Sequence, residues 1–293
     1  MTLRKMFHVE HQRLADDRTM TPQRLRAGVM AAALVLAACS SPEEVAGATA
    51  TATASAEAAA TAEAPAKAQA VAFEDNAEKD GGTREFAYGW PAKVSAIPAL
   101  AERFTAERDK VLAEQKADWE SSLAEFPGED CVSCKSLSFS KEWKVVTDLP
   151  RYLSLSADIY LYTGGAHGNS GFDALVWDRE AGEALETRAL FISDAALEDA
   201  LGAGWCKALK AERQRRMGAD FVDDGFFPCP DTTQLTVLLG SSDRKAFNRI
   251  GLIAAPYVAG SYAEGPYEVT LPVTARVLAA VKPEYKAAFA LAK

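Results

Sequence analysis

The chain has 293 residues, 48% of them hydrophobic and 25% charged, with a formal charge of −9 at pH 7. That balance suits a folded body, and its acidic excess repels polyanions, which argues against nucleic acid as a partner. Setting residues 1–38 aside leaves 26 basic side chains against 38 acidic ones, a formal −12.

Residues 1–19 contain Glu10, Asp16 and Asp17, acids that signal n-regions avoid. Met20 to Cys39 forms a complete signal without them: Arg24 and Arg26, an apolar stretch from Ala27 to Ala38, then a cysteine. Translation is therefore expected to begin at Met20, leaving 1–19 outside the protein. One codon choice for Phe7 to Glu10, TTC CAC GTG GAA, is a palindrome resembling a parS centromere site, which agrees with that start. The apolar stretch is 12 residues long, and a spanning helix needs roughly 20. Leu36-Ala37-Ala38-Cys39 matches the bacterial lipobox, in which the Cys39 thiol is acylated and 20–38 is removed as signal peptide. Several acyl chains make an anchor, so a membrane attachment through lipid is expected. Ser40 and Ser41 follow, without the Asp that commonly signals inner-membrane retention. The expected address is the cell envelope, on the inner leaflet of the outer membrane, facing the periplasm. Residues 39–72 are rich in Ala, Thr, Glu and Pro and read as a disordered tether, because they cannot bury enough surface to offset ordering entropy.

The body reads as α+β. Glu85 to Tyr88 predicts a strand. Leu100, Phe104, Val111, Trp119, Leu123 and Phe126 then recur at helical spacing, predicting a long amphipathic helix from about Pro98. Strands are predicted over 136–146, 152–162 and 172–177, with a turn at 164–169 between the last two. Ser193 or Asp194 caps a helix carrying Leu197, Leu201, Trp205 and Leu209. Strands follow at 235–239, 249–254 and 267–271, then short helices over 273–281 and 283–292. This order predicts a mostly antiparallel sheet with one long N-terminal helix and C-terminal helices, in two sub-domains, 73–163 and 164–293.

Beyond Cys39 there are four cysteines: Cys131, Cys134, Cys206 and Cys229. In an oxidising compartment they imply two disulfides, with three pairings open. Cys131–Cys134 and Cys206–Cys229 are the shortest closures and are expected. A redox role for Cys131-Val132-Ser133-Cys134 needs a lowered thiol pKa, whereas Glu129 and Asp130 beside it act the other way. A zinc site is the other alternative, but a single CxxC with no nearby His is a poor ligand set. No cofactor is expected.

Tyr160-Leu161-Tyr162-Thr163-Gly164-Gly165-Ala166-His167-Gly168-Asn169 resembles the hallmark of a family of paired domains. These form the ectodomain of the anti-sigma factor RsiV and accompany the peptidoglycan deacetylase PdaC. Thr187 to Phe191, Phe247 to Ile253, and Pro256 to Val269 resemble later steps of the same pattern, so the likeness covers roughly 73–290. It implies a two-part α+β ectodomain and makes a lysozyme-like protein or peptidoglycan the expected partner. The sigma-binding and deacetylase catalytic parts of those proteins have no counterpart here, so neither activity is implied.

His167 is the sole histidine after Cys39, which rules out a multi-His metal site. It is the one candidate general base, with Asp173 or Asp178 to orient it. The other reading is a tight turn built by Gly164, Gly165 and Gly168, across which His167 hydrogen-bonds. Ser138–Lys141 and Ser242–Lys245 fit SxxK by chance frequency, without a companion motif. Asp220, Asp223, Asp224 and Asp231 lack EF-hand spacing and read as a solvated loop. Phe86, Tyr88 and Trp90 alternate as core residues do, although such rings also stack on sugars. The expectation is a non-catalytic ligand-binding or sensing domain; the alternative is a cell-wall hydrolase or other envelope enzyme using His167.

Overall fold

The computed structural model describes residues 67–128, 131–218, 222 and 225–293. The Met20 start, the signal segment, Cys39 and the acids Glu129, Asp130, Asp220, Asp223 and Asp224 lie outside the described residues. Lys67–Lys293 forms one compact unit.

Seven strands make the main sheet: β1 (Val71–Glu74), β2 (Ala77–Lys79), β3 (Gly82–Trp90), β4 (Leu137–Asp148), β5 (Tyr152–Tyr162), β6 (Asn169–Asp178) and β7 (Glu183–Leu185). Their order is β1-β3-β4-β5-β6-β7, with β2 continuing the edge along β3. The tether therefore ends earlier than 72, because Val71 and Ala72 already pair with Trp90 and Gly89. All pairs are antiparallel except β3 and β4. That parallel pair needs a crossover, supplied by the short helix α1 (Ala92–Ser95) and the long helix α2 (Pro98–Glu125). The long helix is thus the second helix and follows three strands.

Helix α2 opens on Pro98, whose missing N–H is harmless in the first turn. It buries Leu100, Phe104, Val111, Leu112, Trp119 and Leu123. Phe104 stacks on Trp143 of β4 at 4.6 Å, and the Trp119 indole donates to the Lys135 carbonyl at 2.9 Å. Phe86, Tyr88 and Trp90 are each at most 4% exposed. They are core, as their alternation predicts.

A second sheet, β8 (Thr236–Gly240), β9 (Arg249–Ala254) and β10 (Tyr267–Pro272), runs in the order β10-β9-β8 and is fully antiparallel. Val237, Leu239, Ile250, Leu252 and Ala254 join one core with Leu197, Leu201, Trp205 and Leu209 of helix α3 (Asp194–Met217). Ser193 is its N-cap, its hydroxyl accepting from the Ala196 amide. Helix α4 (Ala275–Ala280) and a 3-10 stretch, Pro283–Ala288, close the chain and are shorter than the periodicity suggests. Strand β8 lies against β4, β5 and β6. This explains why Tyr152 to Leu155 are buried on both faces, while Ile159 to Tyr162 are not. The far half of the β5–β6 hairpin runs out from under the second sheet. The 163/164 boundary falls inside that hairpin, whose two strands pair along its whole length.

Both cysteine pairs are bonded as their spacing suggests, Cys131 to Cys134 and Cys206 to Cys229. Cys206 sits on α3, next to Trp205, whose indole donates to the Pro230 carbonyl at 3.0 Å. The bridge and that hydrogen bond hold the chain after α3 against the helix.

Candidate functional site

Strands β5 and β6 stay in register up to Leu161 and Asn169, so the Gly-Gly-Ala-His-Gly run is the hairpin tip. Two of its glycines answer to contacts. Gly164 has φ +92°, and a Cβ there would lie 2.9 Å from the Ser133 carbonyl, so the Cys131–Cys134 loop packs beneath the turn. A Cβ on Gly168 would come within 2.4 Å of the Tyr160 ring, which lies across it. The Tyr162 hydroxyl donates to the Gly165 carbonyl at 2.9 Å and ties the tip to its own strand.

His167 is exposed at this tip. Its Nδ1 lies 2.8 Å from the Gly168 carbonyl, which can only accept, so Nδ1 carries the proton. Nε2 then accepts from the Tyr257 hydroxyl at 3.3 Å. The two ring centroids are 6.4 Å apart, with the planes 26° from parallel. Tyr262 stacks on His167 at 4.0 Å and 21°, and it is less exposed than either. The result is a cluster of three rings, with His167 and Tyr257 exposed and Tyr262 stacked on His167.

Tyr257 and Tyr262 belong to the β9–β10 connection, and several contacts fix that loop. Arg213 of α3, itself buried, donates from Nε to the Ala259 carbonyl at 3.2 Å. Arg216 donates to the Glu264 and Pro266 carbonyls, both at 2.9 Å. The Ser261 hydroxyl and the Glu264 carboxylate form a capping box around Tyr262–Glu264. Burial pushes the Glu264 carboxyl up, but the Tyr267 hydroxyl and the Ser261 amide outweigh it and hold it below its usual range. Burial first, and then Glu264, pushes Tyr267 up to about 12. Tyr257 has φ +73°, a left-handed conformation that side-chain-bearing residues rarely adopt. Its ring is nonetheless 53% exposed. The loop holds a strained residue with its aromatic face turned to solvent.

The other candidates are occupied by structural duties. Asp173 and Asp178 do not orient His167. Asp173 pairs with Lys141 at 2.8 Å, and Asp178 accepts from Arg151 and from the Glu180 and Ala181 amides. Lys141 is buried between Asp173 and Glu107. Burial alone lowers its pKa, but the two carboxylates overcome that and keep it charged, which removes it as a nucleophile. Strand alternation also puts Ser138 and Lys141 on opposite faces of β4. Ser242 is held by the Asn248 side chain, and Asp231 caps the Thr233 amide. The sequence argument missed Tyr257 and Tyr262. The available signal was two tyrosines flanking Gly260 in a polar connection where no core position is expected.

Residues 57–170 match the family model described as Deacetylase PdaC. The PdaC-matched segment runs through the hairpin tip and ends one residue into β6 beyond Asn169; Tyr257 and Tyr262 lie outside it. Two solved structures are also similar. One is a DUF3298 family protein from Pseudomonas aeruginosa PAO1, 20% identical, covering 73% of this chain and 94% of that one, with a TM-score of 0.46. The other is a DUF3298 family member from Bacteroides fragilis NCTC 9343, 16% identical, covering 70% and 89%, with a TM-score of 0.43. No curated protein matches the chain.

Proposed function

We propose that this is a lipid-anchored, periplasm-facing envelope domain that captures a ligand on the surface around His167 and does no chemistry on it. The observation that carries the reading is the pairing of His167. Its ring nitrogens meet a carbonyl and a phenol, not a carboxylate and a nucleophile. General-base catalysis wants an orienting group on one nitrogen and a reacting proton near the other. Here a carbonyl orients Nδ1, but the place of a reacting proton at Nε2 is taken by the Tyr257 phenol, so the exposed ring face is what remains on offer. The likeness of the Tyr160–Asn169 run to the RsiV-type ectodomains, and the PdaC-matched segment, make lysozyme-like proteins and cell-wall material the ligands to try.

Titration calorimetry of wild type and His167→Ala with lysozyme and with solubilised peptidoglycan, alongside a turnover assay on the same fragments, tests this. Binding by wild type, weakened in the variant, with no turnover by either, is expected. Turnover by wild type that vanishes in the variant would make the chain an enzyme instead. For the anchor, Cys39→Ala is expected to lose labelling by a palmitate analogue; equal labelling of both proteins would remove the lipid from the proposal.

A further inference from the structure

The tip of the β5–β6 hairpin and the β9–β10 loop bring three rings together. The loop beneath is fixed by Arg213, Arg216 and the Ser261–Glu264 box. Tyr160, 38% exposed and lying across Gly168, extends the aromatic surface on the hairpin side. Asn169 and Ser170 begin β6 beside it, and the Asn169 Oδ1 accepts the Ser170 amide. The hairpin side of the ring pair thus offers polar groups: a phenol hydroxyl, an amide and a hydroxyl.

We infer that the His167–Tyr257 ring pair, backed by Tyr262, is a carbohydrate-binding platform that takes the C–H face of pyranose rings in an oligosaccharide chain. This rests on the reading of the His167 surface as a ligand site and names its ligand class. An aromatic face is electron-rich, and the axial hydrogens of a pyranose are electron-poor, so the two attract while the hydroxyls keep their water or meet polar neighbours. A chain of such units suits two exposed rings with centroids 6.4 Å apart. A protein partner is the poorer fit, because a stable protein interface buries about 800 Å² on each side, far more than three rings supply. Tyr88 and Trp90, another aromatic pair, are buried and unavailable.

The test uses the full-length protein in detergent and three probes: the hexamers of β-1,4-linked N-acetylglucosamine, of β-1,4-linked glucose and of mannose. Binding of at least one hexamer is expected. Tyr257→Ala should weaken it about tenfold, whereas Tyr257→Phe, which keeps the ring face, should stay within about threefold of wild type. Tyr262→Ala should weaken it as Tyr257→Ala does, since it removes the backing ring. Equal binding by wild type and both alanine variants would overturn the platform, because the sugar would then sit elsewhere. Failure of all three hexamers to bind would overturn the carbohydrate assignment. If lysozyme still bound in a His167-dependent way, the ligand-capture reading would stand without it; if lysozyme also failed, both would fall.

Discussion

Tyr257 allows a stringent test of the idea that the β9–β10 loop is shaped for display. Replace it with glycine. The left-handed backbone costs a side-chain-bearing residue about 1–2 kcal/mol, which glycine recovers. Against this stand about 0.5–1 kcal/mol for the greater freedom of glycine in the unfolded chain, and about 1–2 kcal/mol for one exposed hydrogen bond and two ring contacts. The exposure of the ring and the 3.3 Å length of its bond to His167 put those losses at the low end. The sum is close to zero. Losing a large buried aromatic instead costs about 3–5 kcal/mol, so the two cases separate cleanly. Urea unfolding followed by circular dichroism, with Tyr88→Ala as the buried comparison, makes the measurement. Tyr257→Gly should fall within about 0.5 kcal/mol of wild type, a shift of no more than about 2 °C in midpoint for a body of this size. A loss above about 2 kcal/mol would show that the ring is a packing element, and the strained φ of +73° would then need another explanation.

Gly168→Ala drives a Cβ into the Tyr160 ring and should destabilise by about 1–3 kcal/mol, with part of the loss returned in the Gly168→Ala, Tyr160→Ala double variant; additive losses would mean the two residues do not meet. The Cys206–Cys229 bridge spans a sequence separation of 23, worth about 3.4 kcal/mol in the chain-entropy model, against about 1.6 for the short Cys131–Cys134 bridge. Paired Cys→Ser variants should therefore rank in that order under denaturant, and the reverse ranking would refute the entropic argument. In the fold, Lys116 and Arg84 hold Asp75 below its ordinary value of 3.8; burial raises Asp148 and Asp178, but Lys93 and Arg179 in the first case, Arg151 and turn amides in the second, leave them below it too. Unfolded carboxyls thus protonate first, so this stabilisation is complete above roughly pH 5 and lost as pH falls below about 4. A thermal midpoint that stays flat from pH 5 down to about pH 2.5 would contradict it.

The spacing of Leu100, Phe104, Val111, Trp119 and Leu123 announces helix α2 because a helix against one sheet has one apolar stripe. The cysteine pairs were also legible, since short closures cost least chain entropy. The parallel β3–β4 pairing was not, because the strands' own composition does not distinguish parallel from antiparallel neighbours; the crossover geometry decides. The long-range partners were likewise hidden. Lys141 looks like one half of an SxxK motif until Glu107 and Asp173 arrive from α2 and β6. His167 looks like a turn residue or a base until a tyrosine 90 positions later meets its Nε2. In each case the residue type was visible and its neighbour was not.

The two rings of the platform are carried by different sheets: His167 by the hairpin of the seven-stranded one, Tyr257 by the connection inside the three-stranded one. Besides the Tyr262 stack on His167, they are linked by a hydrogen bond of 3.3 Å between exposed groups, a weak fastener. Any ligand lying across both rings adds a further fastener at this end of the two packed sheets. Occupancy is then converted into cohesion, by about 2.7 kcal/mol when the ligand stands at a hundred times its dissociation constant. The amides of the Gly164–Gly168 turn and of the Tyr257–Tyr262 loop should slow their hydrogen exchange together as ligand is added. A bound cell-wall strand would be registered as a stiffening of the far end of the molecule.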